Sequence, residues 1–425
     1  MKIPFNYLDD FIAILDSPDH PMSVHHELWV EGRLDGDRLR SALQAASRRH
    51  PLAQAKVLPA ADEDRHWFFQ IDGSYDLDPL AEIACNDEEE IEIARDELFN
   101  KPVPVDEPPL FRALLVHHGA GDRLIINLHH IAGDGIGMVR FLRSVQRAYA
   151  REPEPAPLVD LDCARDLSFL RVPDPQERER RSELRRRYLA ELELDDPARL
   201  ASDGGDPSGG HGIVHLELTP DELVRVHGRR RPGSTLNDVI VTAHQLTWEE
   251  WNRRHDANSG RIGTMMAMNS RPRAWRFDTL SNYALPGLIT TRPHERATFD
   301  TTLAAVTAWT SEYKRTMGGV VAMELEEMAD QPVGAKKALE FPDNFWEGVV
   351  SNLCRHDEFG DFGADGGRVT HLFFTPPVTV QGIAMGACSL GNRVFLAGRY
   401  RLLVLDQKAA KSFMELYKET LLTRD

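Results

Sequence analysis

Cysteine is scarce, with four residues in 425 at Cys85, Cys163, Cys354 and Cys388, and none of the gaps between them is a metal or redox spacing. That excludes a disulfide framework and a Cys-x-x-Cys redox pair, and the four read as buried thiols of a protein kept in the reducing cytoplasm. No apolar run approaches the roughly 20 residues that span a bilayer, so no membrane segment is expected. The opening Met1-Lys2-Ile3-Pro4-Phe5-Asn6 lacks the basic-then-apolar build of a secretion signal. Basic residues are also in deficit, with 50 Lys and Arg against 67 Asp and Glu and a net charge of -17. Neutralising phosphates needs basic surface, which argues against a nucleic-acid partner.

What remains is a globular composition, 42% hydrophobic and 28% charged. The length suits two domains of about 200 residues each. Within it, Leu128-His129-His130-Ile131-Ala132-Gly133-Asp134-Gly135 is the most informative stretch. Upstream, Arg123 to His130 predicts a buried strand, and downstream Met138, Val139, Leu142, Val145 and Tyr149 recur at helical spacing. Two histidines, an aspartate and a glycine at a strand-to-helix junction form a candidate acid/base site, because histidine exchanges its proton at about pH 6.5. Successive strand side chains face opposite ways, so one histidine should be structural and the other open to substrate. No metal is assigned, since a metal site needs several such groups converging on one ion with a further ligand from elsewhere.

Two other histidine pairs act as controls. His117-His118-Gly119-Ala120-Gly121-Asp122 repeats the spacing but lies between two apolar runs and predicts a hairpin turn. His25-His26 opens another strand without an aspartate at the right distance, and reads as two solvent or core histidines.

With these residues the chain resembles the chloramphenicol acetyltransferase-like superfamily, which includes condensation domains of peptide synthetases, wax ester synthases and stand-alone polyketide-associated acyltransferases. Ser234-Thr235-Leu236-Asn237-Asp238 is similar to the family's Asn-Asp helix start. Met268-Asn269-Ser270-Arg271-Pro272 with Leu280-Ser281-Asn282-Tyr283 is similar to its paired second-lobe strands, and Val350-Ser351-Asn352-Leu353 to its Ser-Asn segment. Cys354-Arg355 departs from the pattern, where relatives often carry glycine. The resemblance extends over nearly the whole chain. It implies an α+β fold of two lobes, each a mixed sheet with helices, meeting along a central tunnel. The expected division is 1–172, carrying the His-His-x-x-x-Asp-Gly motif, and 173–425.

The resemblance also implies a reaction, the transfer of an acyl group from a coenzyme A or carrier-protein thioester to a hydroxyl or amine, in specialised-metabolite or lipid biosynthesis. His130 would be the general base and His129 a packing residue. Asp134 would pair with Arg271. Gly135 would leave substrate room to approach and could offer its N–H to the carbonyl oxygen. Asn282, Ser351 and Asn352 are candidates to line the tunnel, or to make ordinary turn and strand-end hydrogen bonds. No bound cofactor is expected; acyl-coenzyme A or a phosphopantetheine-linked acyl carrier would be co-substrate. The alternative is a catalytically idle condensation-like module that binds a carrier protein.

Along the chain, helices are expected at Asp37–His50, Asn86–Phe99, Leu236–Arg254, Phe299–Arg315 and Gln407–Leu421. The Pro-rich 152–157 should begin an interlobe connection, and 202–210 should be a disordered loop. Arginines cluster at 178–187, interleaved with Glu177, Glu179 and Glu183, and again at 229–231. They read as a solvated charged face, or as a dock for an anionic carrier or coenzyme phosphates.

Overall fold

The computed structural model describes residues 1–423 except 76–77, 156, 159, 194, 273–277, 340–345, 357–358 and 379–381. Ala156, within the Pro-rich run, thus lies outside the described residues. Two mixed sheets dominate. The first orders its strands Arg368–Thr375, Ser23–Glu31, Asp122–His129, Phe111–His117 and Leu80–Ala84. The second runs Ala284–Thr291, Ile262–Asn269, Gly348–Arg355, Ile383–Leu390, Arg393–Arg401 and His211–Leu218. A small antiparallel sheet of Lys2–Pro4, Phe68–Ile71 and Ala55–Leu58 flanks the first.

The motif strand Asp122–His129 is buried along its whole length because both faces are covered. Leu124, Ile126 and Leu128 join the core formed with helices Gly36–Arg49 and Gly135–Ala150, while Ile125 packs with Ile91, Leu114 and Val116 under helix Glu88–Asn100. That alternation is the two-residue strand period at work. The motif helix Gly135–Ala150 buries Met138, Val139, Phe141, Leu142, Val145 and Tyr149. Each such side chain contributes roughly 1.5–3 kcal/mol relative to exposure. The second copy of the motif spacing, from His117 to Asp122, is a turn as expected. There the Gly121 N–H donates to the His118 carbonyl, and the His117 ring bonds the Asp122 carboxylate at 2.9 Å.

A strand crosses directly between the lobes. Strand Arg368–Thr375, from beyond residue 172, pairs antiparallel with Ser23–Glu31 as the outer strand of the first sheet. A split at 172/173 therefore separates this strand from its sheet. In the second lobe, helix Leu236–Arg254 starts at a capping box in which the Thr235 and Asp238 side chains each bind the other's backbone N–H. Helices Phe299–Glu312 and Gln407–Leu422 pack with it or on its sheet.

Three expectations are corrected. The 202–210 segment is not a disordered loop, since Asp203 and Asp206 donate backbone hydrogen bonds to the Val404 and Leu402 carbonyls. The helix expected to end at Arg315 instead passes through a π-turn at Tyr313–Met317 into Gly318–Ala329. Of the four thiols, Cys85 and Cys388 are buried but Cys163 and Cys354 are exposed.

Candidate functional site

The motif strand ends at His129, and His130–Ala132 makes a single 3-10 turn before Asp134 caps the next helix. The turn, rather than strand alternation alone, separates the two histidines. His129 is buried, with both ring nitrogens engaged: Nδ1 accepts the Ile131 N–H at 3.2 Å, and Nε2 lies 3.3 Å from the Asp16 carboxylate. His130 instead borders a cavity of about 620 Å³. The same cavity is bordered by Asp134, Gly135, Arg271, Asn282, Ser351 and Asn352, so every candidate residue except His129 meets there. Much of the remaining wall is apolar, including Leu8, Phe11, Ile12 and Leu15 from helix Tyr7–Leu15 on one side and Met265 and Leu285 on the other.

Asn282 fixes the tautomer of His130. Its Nδ2 donates to the His130 carbonyl at 3.0 Å, the Ile131 carbonyl at 3.2 Å and the Asp9 carboxylate at 3.2 Å. Three acceptors around one nitrogen leave no ambiguity about which end of the amide is which. Its Oδ1 therefore faces His130 Nδ1, 3.2 Å away, and must accept a proton from it. The ring is thus the Nδ1–H tautomer, and Nε2 keeps its lone pair. Burial pushes the ring's pKa below the usual histidine value, against a partial upward pull from its own backbone, Asp134 and Asn282. The neutral form is favoured.

Asp134 and Arg271 form a buried two-pronged ion pair. Arg271 Nη1 donates to Oδ2 at 2.9 Å and Nη2 lies 2.8 Å from Oδ1, each side chain being 5% exposed. Asp134 also accepts the Gly137 N–H at 2.9 Å as helix cap and the Tyr283 N–H at 2.8 Å. Burial pushes its carboxyl up, but Arg271 and these donors outweigh that and hold it below the ordinary carboxylate value. One aspartate thereby joins the motif loop to the second lobe. Gly135 has no room for a side chain, because a Cβ would come 2.7 Å from Leu353 Cδ2 and 2.9 Å from Phe374 Cε2.

Ser351 and Asn352 sit on strand Gly348–Arg355, where pairing slips between Asn352 and Arg355. Asn352 Oδ1 accepts the Cys354 N–H at 2.8 Å, and Cys354 adopts a left-handed φ of 67°. Glycine takes that conformation without strain, so the glycine expected at this point has a backbone reason that Cys354 does not share.

Sequence reasoning misses Asp9 and Arg165. Asp9 accepts from Asn282 through Oδ1 and from Arg165 Nη2 at 2.6 Å through Oδ2, giving a buried chain Arg165–Asp9–Asn282–His130. The only signal for it in the sequence is the Asn6-x-x-Asp9 capping box.

The arginine clusters are tied into the fold. Arg185 is buried against Glu324 at 3.2 Å, and Arg181 binds Glu177 and the Thr316 carbonyl. Arg186 pairs with Glu179 and Glu183 on its own helix, Arg229 stacks on Phe299, and Arg231 bonds Asp300. Arg185→Glu should therefore lower the melting temperature clearly, whereas Arg186→Glu should shift it little, exposed pairs being worth about 0–1 kcal/mol. Equal shifts in a thermal melt would contradict this assignment.

Residues 11–164 match the family model for the condensation domain. An uncharacterised protein of Mycobacterium tuberculosis is 32% identical over 428 residues, covering 97% of this chain and 98% of that one. The cyclization-docking bidomain of a Sorangium cellulosum peptide synthetase superposes with a TM-score of 0.72 at 17% identity, over 100% of this chain and 86% of that one. The first condensation domain of the calcium-dependent antibiotic synthetase, in complex with a substrate analogue, gives 0.71 at 15% identity, over 99% and 96%.

Proposed function

Because this chain belongs to the condensation-domain superfamily, with its chloramphenicol acetyltransferase-like two-lobed fold, we propose that it is an acyltransferase working at the interlobe cavity. The observation that carries this reading is the Asn282 amide, whose Oδ1 fixes Nδ1 as the donor and so leaves the lone pair of the neutral ring on Nε2. In the proposed reaction a hydroxyl or amine acceptor gives its proton to Nε2 while attacking the carbonyl of an acyl thioester. The tetrahedral intermediate collapses, the thiolate leaves, and His130 returns the proton to it. A positioned base contributes typically about 10² to 10⁴ in rate, and co-localising both substrates supplies more. No covalent acyl-enzyme is needed. The Gly135 N–H, at the start of the motif helix, is oriented by the helix dipole to stabilise the oxyanion.

The donor is an acyl thioester of coenzyme A or of a carrier protein's phosphopantetheine, and the apolar cavity wall suits its acyl chain. The acceptor belongs to specialised-metabolite or lipid biosynthesis. Asp134 and Arg271 position the loop without touching the proton, and Ser351 and Asn352 border the substrates.

The test is release of free thiol from acyl-coenzyme A and acyl-carrier thioesters, offered with alcohols and amines, with products read by intact mass. Product formation with at least one pair is expected. Its pH dependence carries a sign: the base is active when neutral and burial lowers its pKa, so kcat/KM should stay flat from neutrality down past pH of about 6.5 before falling. An acid limb centred above that value would exclude His130 as the base. Carrier binding without thiol release from any pair would favour the idle module.

A further inference from the structure

A second cluster of ligating groups lies where the lobes meet, apart from the motif. Strand Ser23–Glu31 of the first sheet presents His25 and Glu27, and strand His211–Leu218 of the second presents His215. One ligand atom from each lies within 4.8 Å of the other two. Glu27 Oε2 is 3.7 Å from His25 Nε2 and 3.7 Å from His215 Nε2. His25 and Glu27 are buried, and His215 nearly so.

Glu27 Oε2, His25 Nε2 and His215 Nε2 have no hydrogen-bond partner among the described residues. Buried polar atoms are seldom left so, because their desolvation goes uncompensated. The carboxylate is aimed: its Oε1 accepts the Trp29 indole N–H at 2.6 Å, which turns Oε2 toward the imidazoles. The His215 ring is held by stacking on Phe373, with centroids 4.0 Å apart and planes 9° from parallel. Two imidazoles and a carboxylate are a donor set that divalent transition metals take.

We propose that His25, Glu27 and His215 bind one divalent transition-metal ion, which staples the first lobe to the second. Zinc suits the donor set of two nitrogens and one oxygen, with bonds of about 2.0–2.2 Å, and binding it would draw the three side chains together from their present separations of up to 4.8 Å. Arg95, with Nη1 3.8 Å from Glu27 Oε2, is the carboxylate's outer partner, its Nη2 donating to the Ile213 carbonyl and its Nε lying 3.5 Å from Asp96.

The full chain, produced in zinc-supplemented medium, should carry close to one zinc per molecule by elemental mass spectrometry, and chelation should lower its melting temperature. Glu27→Gln and His215→Phe, the latter retaining the ring stack on Phe373, should lose both the zinc and the response to chelator. Should either variant fail to fold, cobalt substitution of the unaltered chain decides, since a tetrahedral nitrogen and oxygen site gives strong visible absorption. Zinc-free protein whose melting is indifferent to added zinc overturns the proposal. So does zinc retained in folded variants, which would place the metal elsewhere.

Discussion

His130→Ala is expected to lower turnover by at least about 10²-fold while the melting temperature stays close to that of the unaltered protein. The ring borders the cavity and its side-chain hydrogen bond is the one from Nδ1 to Asn282, so little packing is lost. His129→Ala should do the reverse. That ring is buried between the Ile131 N–H and the Asp16 carboxylate, and deleting it strands a buried donor at a cost of about 1–3 kcal/mol. Steady-state rates and thermal melts on the two variants separate the assignments. Activity lost with His129 and kept without His130 would move the base to the first histidine. An Asn282→Ala variant adds a finer readout: with the tautomer no longer fixed, kcat should fall and its pH profile should shift while KM moves less.

Breaking the pair between Asp134 and Arg271 should damage folding more than any substitution that merely alters the cavity wall. Each partner is 5% exposed, and removing one leaves the other charged, buried and unmatched, a loss of about 3–5 kcal/mol. Asp134→Asn is the sharper variant because its remaining carbonyl oxygen can still cap the helix at Gly137, so the charge is what is removed. Arg271→Ala deletes the guanidinium and also its bond to the Ser281 carbonyl at 2.9 Å. With both charges gone the penalty should not double, and a double-mutant cycle from denaturant melts should return an interaction energy of about 0.5–3 kcal/mol. An interaction energy near zero would show that the two contacts act independently.

Local signals in the chain are legible where they coincide with caps and periodicity. Helix Leu236–Arg254 begins where its sequence indicates because Thr235 and Asp238 close a capping box. The motif helix and its strand are equally readable. Val369 to Phe374 reads as a strand, but its place in the first sheet does not, because its partner Ser23–Glu31 lies over 300 residues away. Strand Ile383–Leu390 gives no clear signal because its Ala-Met-Gly-Ala-Cys run has low intrinsic strand preference and is held by neighbours on both sides. At the site, the motif points to His130, but Asp9 and Arg165 act through Asn282 across more than 100 residues of sequence. No spacing rule reports on contacts of that range.

The strand Arg368–Thr375 also bears on how this molecule can be divided. It pairs with Ser23–Glu31 from His25 to Glu31. A fragment ending at residue 172 keeps the histidine motif and its helix, yet it bares the seven-residue strand edge His25–Glu31. Bare edges of that kind recruit other chains. Such a fragment would self-associate unless a peptide carrying Arg368–Thr375 were supplied in trans, and split-protein reporters or inhibitors that compete for this edge have a defined sequence to imitate.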